Sequence, residues 1–110
     1  MSTFKTLAIL FSAAVLEAGG DALVRKGLHA SATARAGFLL AGALVLFAYG
    51  YTVNTPPWDF GRLLGVYVVF FFVVAQVINW LAFGQAPTGR MALGGACVIL
   101  GGLIISGSQV

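Results

Sequence analysis

Four apolar stretches, each about as long as a bilayer is thick, leave this chain little freedom of fold. They run from about Phe4 to Val24, Ala36 to Val53, Leu63 to Phe83 and Met91 to Val110. A helix needs ~20 apolar residues to cross a ~30 Å hydrocarbon core. Helices rather than strands follow from that length and from the absence of strict alternation. In lipid every backbone N–H and C=O must also be satisfied within the segment. Composition agrees, since only 8% of the 110 residues are charged, against roughly 25% in soluble domains. The expectation is an all-α integral membrane protein, a four-transmembrane-helix bundle forming one domain over residues 1–110.

The polar breaks are short. "RKGLHASATAR" separates spans one and two, "NTPPWDFGR" spans two and three, and "GQAPTGR" spans three and four. Prolines and glycines end the apolar runs, and connections this short make neighbouring helices antiparallel. Lys5, Arg25, Lys26, Arg35, Arg62 and Arg90 sit at segment ends, where cations anchor helices at the headgroups. They form no basic stripe, so nucleic acid is not an expected partner. Two cations lie on the N-terminal side and four on the other, which mildly favours an outside N-terminus or insertion both ways. A signal peptide, Lys5 followed by Thr6–Leu16, is the competing reading of the start. It would put Glu17 in the cleavage region. Trp58 and Trp80 read as interfacial anchors. Cys97 reads as a packing residue and His29 as a solvated loop residue. There is no metal motif, phosphate loop or nucleophile–base set, so neither a cofactor nor an enzyme is expected.

Two of the chain's three acids, Glu17 and Asp21, fall inside or beside span one, in "AAVLEAGGDALVRKG". Glu17 lies about three-quarters of the way along that span. An ionised acid near the bilayer centre costs about 2.5–3.5 kcal/mol on insertion scales, so it marks a functional site. A carboxyl in hydrocarbon favours its neutral form, and once ionised it attracts a cation. One group serving proton and substrate in turn is a minimal exchanger. The competing reading is a neutral Glu17 hydrogen-bonded to another helix. Asp21 shares the Glu17 face, four residues on, and Arg25 stands four residues beyond it, in reach of an ion pair. Asp21 therefore either joins the pathway or ties down the helix end. Small residues around the acids, Gly20 among them, allow close approach.

In span three, Tyr67, Phe71, Val74 and Ile78 follow one helical stripe, and Gln76, Asn79 and Phe83 a second. Gln76 is nine residues from Tyr67, on the opposite face of an ideal helix. Tyr67 can cap a cation with its ring and hydroxyl. Tyr67 thus joins Glu17 and Asp21 as a proton or substrate-binding candidate. Gly20, Phe71, Tyr49, Gln76 and Asn79 are the pocket candidates, with packing the alternative role for each. In span four, Gly94 and Gly101, like Gly95 and Gly102, are seven apart. The small-residue stripe reads as a close helix contact, between chains rather than within one.

Together these residues resemble the small multidrug resistance (SMR) branch of the drug/metabolite transporter superfamily. The shared features are the length, four short-looped spans, and Glu17 in span one followed by Gly20 and a basic Arg25. "FGQ" (Phe83–Gln85) also closes span three, and Gly94 and Gly101 fall at the family's dimerisation glycines. The family's span-three tryptophan falls on Tyr67. Its span-two tyrosine falls on Leu44, with Tyr49 more than a turn later. The glycine run that kinks span three is "YVVFF" here. "AGGDALVRKG" and "GGLIISGSQV" look like superfamily relatives that flip lipid-linked sugars, and "GRLLGVYV" is faintly similar to a further four-span branch.

The resemblance implies an SMR-like fold, functional as an antiparallel, dual-topology homodimer in a bacterial inner membrane. It also implies one membrane-embedded Glu per chain, shared by protons and substrate. Alternating access usually uses inverted repeats, and an inverted second chain would supply one. The leading functional expectation is proton-coupled export of small organic or amphipathic cations. The alternatives are a flippase subunit for a lipid or lipid-linked sugar, in which a heterodimer with a second small subunit fits, and a non-transporting membrane assembly protein.

Overall fold

A computed structural model describes residues 2–107. It contains four helices: α1 (Thr3–Leu28), α2 (Ala32–Val53), α3 (Phe60–Phe83) and α4 (Gly89–Ser106). All four are long and apolar enough to cross a membrane. Residues 108–110, the end of the expected fourth span, lie outside the described residues.

Side-chain caps open three of the four helices. The Ser2 side chain accepts from Lys5 N at 3.2 Å and opens α1. Asp59 accepts from Arg62 N at 3.1 Å and opens α3 ahead of its apolar run. Thr88 accepts from Met91 N at 3.2 Å and opens α4. Each side-chain oxygen satisfies an amide that a helix start leaves orphaned. At the other end, α1 does not stop at Val24. It continues through Arg25 and Lys26 to Leu28, because charged residues that reach the headgroups do not break a helix. α2 accordingly begins at Ala32 rather than Ala36. His29, expected in a loop, caps α1, and its Nδ1 donates to Arg25 O at 2.9 Å.

The helices pack as α2–α1–α3–α4, each backbone touching only its neighbours in that order. The molecule measures 50 × 34 × 19 Å. A helix with side chains is about 10–12 Å across, so the four expected helices lie in a thin row. In lipid an apolar outer face costs nothing, so no force folds α4 back onto α1. Large apolar side chains such as Phe4, Phe47, Leu81 and Leu93 are accordingly exposed.

The core lies along the α1–α3 seam, where Leu10, Ala13, Ala14 and Ala18 meet Leu63, Val66, Tyr67 and Val74. The alanines bring the two helices together and leave room for the tyrosine. α2 approaches α1 even more closely. A Cβ on Gly42 would stand 2.7 Å from Val24 Cγ2 and 3.1 Å from Gly20 O. A Cβ on Gly20 would stand 2.8 Å from Leu46 Cδ2 and 3.2 Å from its backbone N. Gly20 is therefore a helix-packing residue and does not line the pocket for which it is a candidate.

Candidate proton and cation site

The lengthened α1 places Glu17 near its middle, about 21 Å along the axis from Thr3 and about 17 Å from Leu28 at 1.5 Å per residue. Tyr67, on α3, is only 4% exposed. Its hydroxyl donates to Glu17 Oε1 at 2.8 Å. The Tyr67 ring lies between two others. Its centroid is 5.7 Å from that of Tyr49 on α2 and 6.3 Å from that of Phe71 on α3. These spacings suit tilted aromatic packing. Tyr49 of α2 thus reaches the site from the far side of α1. The result is a carboxylate with one phenol donor and an adjoining row of aromatic faces. A carboxylate attracts a cation directly, and ring faces attract it through their quadrupoles.

Asp21 lies one turn further along α1, in a cavity of about 280 Å³ between α1 and α3. Ala18, Arg25, Phe71, Asn79 and Gln85 also line it. Arg25 does not pair with Asp21. Its guanidinium lies over the Phe83 ring, 5.6 Å from the centroid. The ion pair weighed as a helix tie is absent, and Asp21 is exposed to the cavity.

Residues 3–108 match the family model described as "Uncharacterised BCR, YnfA/UPF0060 family". The chain belongs to the YnfA/UPF0060 family. It is 32% identical over 107 residues to a UPF0060 membrane protein of Herpetosiphon aurantiacus, covering 96% of this chain and 94% of the relative. It is 34% identical over 103 residues to UPF0060 membrane protein YfjF of Bacillus subtilis, covering 86% and 92%. A UPF0060 membrane protein of Mycolicibacterium gilvum is 35% identical over 104 residues, covering 92% of each chain. No solved structure matches the chain. The family assignment, with relatives that are called membrane proteins, makes this a membrane-embedded helical protein.

In this YnfA/UPF0060 chain the remaining candidates separate. Phe71 and Asn79 line the Asp21 cavity. Gln76 does not. It lies in an apolar groove of about 400 Å³ between α3 and α4, with Phe72, Val77 and Trp80. The expected Gln76–Asn79–Phe83 stripe thus splits, because Asn79 lies about 60° nearer the α1 face than Gln76. The span-four glycines divide as well. A Cβ on Gly95 would meet Phe72 Cε1 at 2.6 Å, and one on Gly102 would collide with Val69. Both glycines serve the α3–α4 contact within one chain, which corrects their placement at a dimer interface. A Cβ on Gly94 or Gly101 would meet nothing within 4 Å, so those two lie on open surface.

Phe83 and Gln85 belong to the cavity lining without having been singled out as site residues. Their signal is "FGQ" itself. Gly84 takes φ +67°, the left-handed conformation that glycine adopts without a Cβ penalty. That turn sends Gln85 N to Asn79 O at 3.2 Å, and Asn79 Nδ2 donates back to Gln85 O at 3.4 Å. The motif folds the chain over the end of α3 and brings Gln85 to the cavity.

Proposed function

We propose that the chain is a proton-coupled exporter of small organic or amphipathic cations, with Glu17 binding proton and substrate in turn. The observation that carries this reading is the Glu17–Tyr67 hydrogen bond of 2.8 Å near the middle of α1, a helix long and apolar enough to cross a membrane. A neutral structural Glu needs only a partner; this one has an aromatic row beside it and an acid-lined cavity one turn away. A proton arriving at Glu17 cancels the charge that holds a cation, and a departing proton restores it. Exchange follows if the two cannot occupy the carboxylate together. The resemblance of Glu17, Gly20, Arg25 and "FGQ" to the SMR pattern supports the same mechanism.

Alternating access needs a second wall. The helix row provides one, and a second copy inserted upside down would supply the other. Gly94 and Gly101, open on α4, suit a close antiparallel contact between copies. The membrane is then the inner membrane of a bacterium. A lipid-like substrate is the second reading, favoured by the apolar α3–α4 groove with its single amide, Gln76.

The test uses proteoliposomes loaded at a pH different from the bath, with tetraphenylphosphonium or ethidium as the cation. Wild type should move cation against proton, and Glu17→Gln should abolish the exchange with helical content unchanged. Equal transport by the variant, or no coupled movement by wild type, sinks the proposal.

A further inference from the structure

Where α1 ends, two of its basic side chains and its capping His29 share one groove. Arg25, Lys26 and His29 line a cavity of about 430 Å³ whose other walls are Phe38 of α2 and Ala82 and Phe83 of α3. Arg25 Cζ and Lys26 Nζ stand 5.6 and 5.7 Å from the centroid of the same Phe83 ring. A ring quadrupole attracts both cations, yet it cannot neutralise two like charges held together. No carboxylate lines the groove. Asp21 faces the adjoining cavity instead.

The C-terminal carbonyls of α1 are the natural counterweight to basic residues in the last turn. Three of them already accept a hydrogen bond. Lys26 O accepts from His29 N and Gly27 O from Ala30 N, both at 3.2 Å. Arg25 O accepts from His29 Nδ1 at 2.9 Å. The cations are left in want of an anion.

The groove adjoins an apolar trough. Phe38 also borders a shallow trough between α1 and α2, formed with Leu23, Ala34, Gly37 and Ala41. A Cβ on Gly37 would meet nothing within 4 Å, so the trough is unfilled there. Basic groups at the membrane edge above an apolar track match a phosphate joined to an acyl chain.

We infer that this groove binds the phosphate of an anionic phospholipid, with Arg25 and Lys26 as its charge partners and one acyl chain along the α1–α2 trough. Basic pockets between spanning helices recognise such headgroups. Free phosphate would satisfy the cations and leave the trough unused, which decides between the two sources. Arg25 borders both this groove and the Asp21 cavity. A bound headgroup therefore holds the guanidinium away from Asp21. The site stands whether or not the chain moves cations.

Native mass spectrometry of the full chain, after exposure to phosphatidylglycerol and phosphatidylcholine of matched chain length, tests this. Wild type should retain phosphatidylglycerol about tenfold or more over phosphatidylcholine, as two membrane-surface cations imply. Arg25→Gln with Lys26→Gln should erase the preference, and Lys5→Gln, at the opposite end, should preserve it. Gly37→Leu keeps every charge and fills the trough. It should lower phosphatidylglycerol retention, and it decides the matter if the double variant does not fold. Three results overturn the assignment: equal retention of both lipids by wild type, unchanged retention in the double variant or in Gly37→Leu, or full displacement of the lipid by millimolar inorganic phosphate.

Discussion

Tyr67 donates its hydroxyl proton to Glu17 across the α1–α3 seam, at 2.8 Å. The two residues are 50 positions apart, and their meeting needs Ala14 and Ala18 to keep the helices close. Tyr67→Phe deletes this bond and keeps the ring between Tyr49 and Phe71. A hydrogen bond to a charged group contributes about 1.5–3 kcal/mol. Cation transport at low substrate should fall on the order of tenfold or more, and stability by about 1.5–3 kcal/mol. Tyr67→Ala removes the ring too and should destabilise the helix row by about 3–5 kcal/mol. Uptake assays and thermal melts of the two variants separate the hydroxyl from the ring.

Asp21→Asn distinguishes a pathway residue from a helix tie. Because Arg25 lies over Phe83 and not against Asp21, stability should change by no more than ~0.5 kcal/mol. Cation uptake should fall on the order of tenfold at low ionic strength, as expected for losing one nearby charge in a partly screened site. A large stability loss with full uptake would return Asp21 to a structural role.

The span-four glycines should act in two classes. Gly102→Ala forces a Cβ into Val69, a branched side chain with little room to turn. It should cost about 1–3 kcal/mol of stability in the single chain. Gly94→Ala meets nothing within the chain. It should leave the protomer's melting unchanged and alter only self-association, read by crosslinking in the membrane. A matching stability loss in both would erase the distinction.

Gly84→Ala should cost about 1–2 kcal/mol, the penalty for a left-handed residue that carries a Cβ. It should also release Gln85 from Asn79, raising hydrogen exchange at the Gln85 amide more than at Tyr67 or Val74. Uniform exchange along α3 would show that the turn does not hold the cavity end.

The four spans were legible because lipid imposes a length and forbids exposed backbone, and both constraints act on composition. Helix ends were less legible. Asp59 and Thr88 moved the starts of α3 and α4 outward through single hydrogen bonds that a hydropathy window averages away. Glu17 stood out because a carboxylate in hydrocarbon is costly wherever it lies. Its position along the helix shifted toward the middle because α1 ran on to Leu28. The open row was hidden for a different reason. When every helix face is apolar, periodicity no longer reveals which face meets a neighbour. That is also why Gly95 and Gly94, adjacent in sequence, could not be divided between an inner and an outer contact.

The thinness of the row, 19 Å at its least extent, bears on gene dosage. A single layer of helices has two outer sides, so enclosing a cargo as proposed would take a second layer. Where the missing wall comes from a second copy, assembled units grow as the square of chain number while chains are sparse in the bilayer. Doubling the chain number would then raise the assembled units about fourfold, and halving it would leave about a quarter.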